Sequence, residues 1–217
     1  MIKLQLALDD ISLKDALSLL GKVRDHIDIA EVGTPFLMEY GTSAIRQIKA
    51  AFPGLEVLCD GKIMDAGSYE ADIGFEAGAD YVTVLAVTED ATIRDVALSA
   101  ERRGKIAVAD MICVRDLPQR VSELKQLGIQ MLSVHTGVDQ QKAGRTPISD
   151  LSLIKSCCGE LPVSVAGGIT PDTVDEYLAL DPAVIICGGG ILHAADPAAA
   201  TAELSGRIRC YNRLRGF

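Results

Sequence analysis

Eight short runs rich in β-branched and aliphatic residues recur along the chain: Ile2–Leu8, Ile27–Val32, Leu55–Cys59, Tyr81–Leu85, Ile106–Ala109, Met131–Val134, Pro162–Val165 and Val184–Cys187. The chain has 217 residues, so each run heads a unit of about 27 residues, the size of one strand plus one helix. Between the runs the apolar period becomes helical. Leu13, Ala16, Leu17 and Leu20 follow i, i+3, i+4, i+7 spacing. Strand and helix alternating through a whole chain predict a parallel sheet covered by helices. Eight repeats predict that the sheet closes as a single (β/α)8 TIM barrel over residues 1–217, with short loops. A doubly wound open sheet is the structural alternative, but it normally needs fewer strands, and no G-x-G-x-x-G follows the first run.

Local signals agree with this division. Ser12 with Asp15 resembles a capping box. Thr34-Pro35, Thr170-Pro171 and Asp196-Pro197 each place a cap residue before a proline at a first helical position. Gly78 and Gly128 stand where helices should stop, and Arg207, Arg209, Arg213 and Arg215 complement the negative end of the last helix. Hydrophobic residues make up 48% of the chain, but aromatics only 4% and there is no Trp. The core must therefore be aliphatic, as suits parallel strands buried on both faces.

Composition excludes several classes. Twenty-one basic against 30 acidic residues give a net charge of −9 without a basic cluster, so nucleic-acid binding is not expected. No apolar stretch is long enough for a membrane span, and Asp9 and Asp10 come too early for a signal peptide. The six cysteines have no CxxC spacing, and Cys59, Cys113 and Cys187 lie in apolar runs as small buried hydrophobes. A cytoplasmic protein with reduced thiols is expected.

In a barrel, functional side chains belong at the C-terminal ends of the strands, facing inward. Strand alternation puts Gln5, Ala7 and Asp9 on one face of the first strand, and Ile29 with Glu31 on one face of the second. By the same rule Glu56, Leu58, Asp60 and Lys62 share a face, as do Val108 with Asp110 and Ser133 with His135. The fourth strand breaks the pattern, ending in apolar Leu85-Ala86-Val87. Singly, each polar residue could be a cap or a solvated group. Their coincidence at one rim is what predicts a site. His26, below the second strand, and His193, in the loop after the eighth, do not share this placement and read as non-catalytic.

Two devices can be read at that rim. Gly167-Gly168 and Gly188-Gly189-Gly190 follow the last two strands, where this fold usually binds phosphate through backbone amides. Tight turns alone are the alternative, and a phosphorylated small substrate is expected. Glu31 and Asp60 end neighbouring strands beside Asp9, and paired carboxylates suit Mg²⁺, with Mn²⁺ as a substitute. An ion-pair network around Lys62 without metal is the alternative. Lys62, between Asp60 and Asp65, should stay protonated, and His135 is the best acid/base.

Asp60-Gly61-Lys62-Ile63-Met64-Asp65 is the D-x-K-x-x-D pattern of the orotidine 5′-monophosphate decarboxylase suprafamily. With Leu4 to Asp9, Glu31-Val32-Gly33-Thr34-Pro35, Val134-His135-Thr136-Gly137-Val138-Asp139-Gln140 and Val165 to Ile169, the chain resembles that suprafamily's 3-hexulose-6-phosphate synthases throughout its length. The resemblance implies a Mg²⁺-dependent aldehyde-lyase joining formaldehyde to D-ribulose 5-phosphate, a phosphorylated ketose. It implies Glu31 and Asp60 as metal ligands, Lys62 as the catalytic lysine and His135 as acid/base. Asp110 and Asp9 correspond to further rim acids. Asp65 would reach the neighbouring subunit's site in a homodimer. A related decarboxylase, acting on 3-keto-L-gulonate 6-phosphate, usually carries arginines where this chain has Thr136-Gly137-Val138 and Gly189. A non-catalytic sugar-phosphate-binding barrel is the third reading. The synthases commonly have Leu at Gly61 and a small apolar residue at Gly190, where glycine would add flexibility to the phosphate loop.

Overall fold

The computed structural model describes all 217 residues. Its eight strands are β1 (Lys3–Leu8), β2 (Ile29–Val32), β3 (Glu56–Ile63), β4 (Tyr81–Leu85), β5 (Ile106–Asp110), β6 (Met131–His135), β7 (Val163–Ala166) and β8 (Val184–Cys187). All neighbours are parallel and paired in sequence order, and β1 closes the barrel on β8 through Gln5 opposite Ile186. Eleven helices lie among and around the strands. The expected runs are all present, with β3 longer than predicted because it continues into the D-x-K-x-x-D motif as far as Ile63.

The aliphatic composition divides between two cores. Fifty-four buried residues pack between strands and helices, whereas only Ala7, Ile29, Leu58, Tyr81, Val108, Met131, Val184 and Ile186 fill the barrel. The barrel interior is thus a thin apolar plug, polar at both ends. At the lower end Glu56 Oε2 accepts from Lys3 Nζ at 2.6 Å and from Tyr81 Oη at 2.9 Å. At the upper end stand the rim residues.

Several helix starts match their sequence signals. Ser12 Oγ accepts from Asp15 N–H at 3.1 Å, and Asp196 Oδ1 accepts from Ala198 and Ala199 N–H ahead of the last helix, Pro197–Leu214. Two prolines behave differently. The helix Thr34–Tyr40 is capped by Gly33, not Thr34. After Thr170-Pro171 the chain turns first, and the helix Val174–Leu178 starts behind Thr173, whose hydroxyl accepts from Thr170 N–H. Cys113 is also corrected: it lies beyond β5, in the loop, exposed and with φ 63°. Cys59 and Cys187 are buried as expected, and burial raises both thiols to about 12.

Candidate active site

The upper rim gathers Asp9, Glu31, Asp60, Lys62, Asp110 and His135, each from the end of a different strand except Asp60 and Lys62, which share β3. Lys62 is the hub. Its Nζ donates to Asp60 at 2.8 and 3.0 Å and to Asp110 Oδ2 at 3.0 Å. Burial opposes its charge, but Asp60 and Asp110 outweigh burial, and the ammonium is held well above the ordinary lysine range. The second partner is therefore Asp110. Asp65, which the sequence pairs with Lys62, is exposed and accepts instead from Ala66 N–H at 2.7 Å.

Asp110 is 2% exposed. Burial alone would raise its carboxyl, but the His135 hydrogen bond and charge, together with Lys62, hold it down at about 2. Oδ1 accepts from Ile112 N–H at 2.9 Å, and Oδ2 lies 2.9 Å from His135 Nδ1. With Nδ1 engaged, neutral His135 carries its lone pair on Nε2, the nitrogen available for proton transfer.

Glu31 and Asp60 sit on adjacent strands, with Glu31 opposite Leu58 and Asp60 two residues further on. Glu31 accepts from Gln5 Nε2 at 2.6 Å. Burial, then the charge of Asp60, push its carboxyl up to about 8 despite that bond. Asp9 is raised for the same reasons in the same order. It is wedged between strand ends: a Cβ on Gly33 would stand 2.0 Å from Asp9 Oδ1, so only glycine fits there. Buried, under-compensated carboxylates call for a proton or a hard cation. Glu31 is such a carboxylate, whereas Asp60 is already held by Lys62, Thr34 and Thr83. Both are hard oxygen donors at neighbouring strand ends, the chemistry that would suit Mg²⁺. The chain assembles no cluster of three or more His, Cys, Asp or Glu for a fuller protein-made cage.

The glycine loops reach the same rim. Gly167 and Gly168 have φ 130° and 71°, a path that L side chains rarely follow. Gly188 faces Asp9, since a Cβ there would lie 3.3 Å from Asp9 Oδ2, and Gly189 lies against the His193 ring. His193 itself is paired with Asp10, Nε2 to Oδ2 at 2.6 Å. Gly190 is sterically required, whatever flexibility it adds. Its missing side chain leaves room for the Ile169 carbonyl, 2.2 Å from where a Cβ would be. At Gly61 the atom nearest to a Cβ would be 3.6 Å away, so a Cβ is accommodated there.

The site roles of three residues are not foreseen by the sequence. Gln5 steadies Glu31. Thr34 Oγ1 lies 2.8 Å from Asp60 Oδ2 and 2.9 Å from the Asp60 carbonyl oxygen, so it serves the site instead of capping its helix. Thr83, on the strand that seemed to break the pattern, donates to Asp60 Oδ1 at 2.8 Å and accepts from Lys62 N–H at 2.9 Å. Its parity with Tyr81 was the available signal, because residues two apart share a face.

No helix is long and apolar enough to cross a membrane. The orotidine 5′-phosphate decarboxylase / HUMPS family model matches residues 2–204. A 3-hexulose-6-phosphate synthase of Staphylococcus saprophyticus is 43% identical over 202 residues, 93% of this chain and 95% of that protein. A crystal structure of 3-hexulose-6-phosphate synthase from Salmonella typhimurium superposes with TM-score 0.94 at 50% identity, covering 96% of this chain and 99% of that one. A 3-keto-L-gulonate-6-phosphate decarboxylase from Vibrio cholerae is more distant, with TM-score 0.84 at 25% identity over 96% of this chain and 98% of that one. Fold, motif and matched length agree: the chain belongs to the orotidine 5′-phosphate decarboxylase / HUMPS family.

Proposed function

We propose that the chain is a 3-hexulose-6-phosphate synthase, joining formaldehyde to D-ribulose 5-phosphate reversibly and with Mg²⁺. The observation that carries this reading is the array at the rim: the Lys62 ammonium between buried Asp60 and Asp110, with His135 on the same Asp110 oxygen. Relatives bearing the synthase name at 43% and 50% identity over most of the chain support it.

The reaction needs a base, a cation and an acid. A proton leaves C1 of the ketose, next to the carbonyl, and the resulting enediolate attacks formaldehyde through C1. A carbon–carbon bond forms, and the former formaldehyde oxygen takes up a proton. His135 Nε2 is the best-placed base. Asp110 is a poor one, because both its oxygens are engaged and its carboxyl stays ionised down to about 2. Asp110 instead orients His135 and stabilises its protonated form, ready to return the proton. Lys62 provides a fixed positive charge beside the developing oxyanion. When bound by Glu31 and Asp60, Mg²⁺ would polarise the ketose carbonyl and offset negative charge. Gly167, Gly168, Gly188 and Gly189 would hold the phosphate through backbone amides. The enzyme would act as a cytoplasmic homodimer, with Asp65 near the neighbouring subunit's site.

The test is direct. Formaldehyde should disappear when the protein meets ribulose 5-phosphate and Mg²⁺. No turnover, together with CO₂ release from 3-keto-L-gulonate 6-phosphate, would make it the decarboxylase. Binding of ribulose 5-phosphate with neither reaction would make it a non-catalytic sugar-phosphate barrel.

A further inference from the structure

β3 does not run evenly past β4. Leu58 pairs with Tyr81 and Cys59 with Val82, but the next pair is Ile63 with Val84. Asp60, Gly61 and Lys62 therefore stand opposite the single residue Thr83. Such a bulge breaks the ladder and leaves backbone groups in need of other partners. Lys62 N–H is one of these, on a residue whose φ of 43° is in the left-handed region that non-glycine residues avoid.

Thr83 fills the gap. It is 5% exposed, its Oγ1 accepts from Lys62 N–H at 2.9 Å, and its one proton goes to Asp60 Oδ1 at 2.8 Å. A single hydroxyl thus fixes the main chain of Lys62 and the side chain of Asp60, and the Lys62 ammonium reaches the same carboxylate at 2.8 Å. Gln5 and Thr34 each steady one acid, but Thr83 alone among the three binds both members of the ion pair.

We infer that Thr83 is a positioning residue for the reaction: its hydroxyl locks the β3 bulge so that the Lys62 ammonium and the Asp60 carboxylate stay aligned at the rim. Thr83 touches no substrate; it acts through Lys62 and Asp60. The inference rests on the synthase reading for its kinetic part and on the bulge for its geometric part.

Thr83→Val keeps the branched shape and removes the hydroxyl. Expected is a fall in kcat per folded molecule of about 10- to 100-fold, the usual effect of losing a group that orients a catalytic one. KM for ribulose 5-phosphate should move less than about threefold, because the phosphate loops are untouched. Thr83→Ser restores the hydroxyl and should recover kcat to within about threefold of wild type. Hydrogen exchange of the Lys62 amide, measured without substrate, should accelerate in the Val variant and not in the Ser variant. If Thr83→Val does not fold, Thr83→Ala must show the same losses. An inactive wild type overturns the synthase reading, and the amide exchange then decides the geometry by itself. An active wild type with unchanged kcat in folded Thr83→Val, or unchanged Lys62 exchange, overturns the role of Thr83.

Discussion

His135 Nδ1 lies 2.9 Å from Asp110 Oδ2, the oxygen that Lys62 Nζ approaches to 3.0 Å from the other side. One carboxylate oxygen therefore joins the proposed acid/base, His135, to the proposed fixed charge, Lys62. Each depends on the other: His135 first, and then Lys62, hold Asp110 ionised, and the Asp110 carboxylate in turn engages His135 through Nδ1, which leaves Nε2 free.

Lys62→Ala removes the hub. Synthase turnover should fall by about 10³-fold or more, since a preorganised charge at a developing oxyanion is lost. Stability should change far less, because Asp60 keeps the Thr34 and Thr83 hydroxyls and Asp110 keeps Ile112 N–H and His135. Formaldehyde consumption and thermal melting of the same preparation check both halves. A melting temperature that collapses with activity would make Lys62 a structural residue.

Asp110 sets an acid limb on stability. Its carboxyl takes a proton near 3.8 in the unfolded chain but not until about 2 in the folded one. The unfolded state binds more protons in that window, so this contribution is present above about pH 4 and lost as pH falls toward 2. Its size is on the order of 2 kcal/mol. Asp110→Asn should therefore melt lower than wild type near neutrality, and the gap should narrow in acid. A gap that is constant with pH would show that Asp110 stabilises the fold by packing alone.

Much of this site is legible in the chain because strand alternation is strict. Asp9, Glu31, Asp110 and His135 follow from counting in twos along short strands. Asp60 and Lys62 share the predicted face, yet β3 reaches it through a bulge, which parity cannot reveal. Thr83 was hidden for a related reason. Threonine is an ordinary strand residue, and its partners come from the irregular strand beside it. Thr34 was misread because Thr-Pro is a good helix start, whereas the register places its hydroxyl against Asp60. Cys113 sits among apolar neighbours in sequence, but the chain has already left β5 and turned outward.

The candidate metal pair makes a second pH prediction, opposite in sign. Glu31 is raised from 4.5 to about 8, so the folded chain holds a proton that the unfolded chain has released. Metal-free stability should fall as pH rises from about 4.5 to 8, and Glu31→Gln should flatten that slope. Mg²⁺ must displace this proton, so it should raise the melting temperature more at about pH 8.5 than at about pH 6.5. Equal stabilisation of Glu31→Gln and wild type, or full turnover in EDTA, would remove Glu31 and Asp60 as ligands.

Asp65 is tested by mixing subunits. It is exposed, close to Met64 and Tyr69, which are 54% and 70% exposed. If Asp65 serves the neighbouring subunit's site, Lys62→Ala and Asp65→Ala chains are each inactive alone. Random pairing gives half mixed dimers with one intact site each, so about a quarter of wild-type activity should return. No recovery in confirmed mixed dimers would confine Asp65 to its own chain.

Gly190 tests the phosphate loops. A Cβ at this position would stand 2.2 Å from the Ile169 carbonyl oxygen and 2.9 Å from Cys187 Sγ. Cys187 Sγ itself donates to the same carbonyl at 3.1 Å, so the loops after β7 and β8 touch through these three residues. Gly190→Ala must push the loops apart, because the nearest obstacle is backbone and cannot rotate away. The amides of Gly167 and Gly168 would then separate from those of Gly188 and Gly189. KM for ribulose 5-phosphate and the inhibition constant of inorganic phosphate should both rise about tenfold, while kcat at saturation holds within a few-fold. The array around Lys62 lies on other strands and should be unaffected. An unchanged phosphate inhibition constant in folded Gly190→Ala would mean that the phosphate is held somewhere other than between these loops.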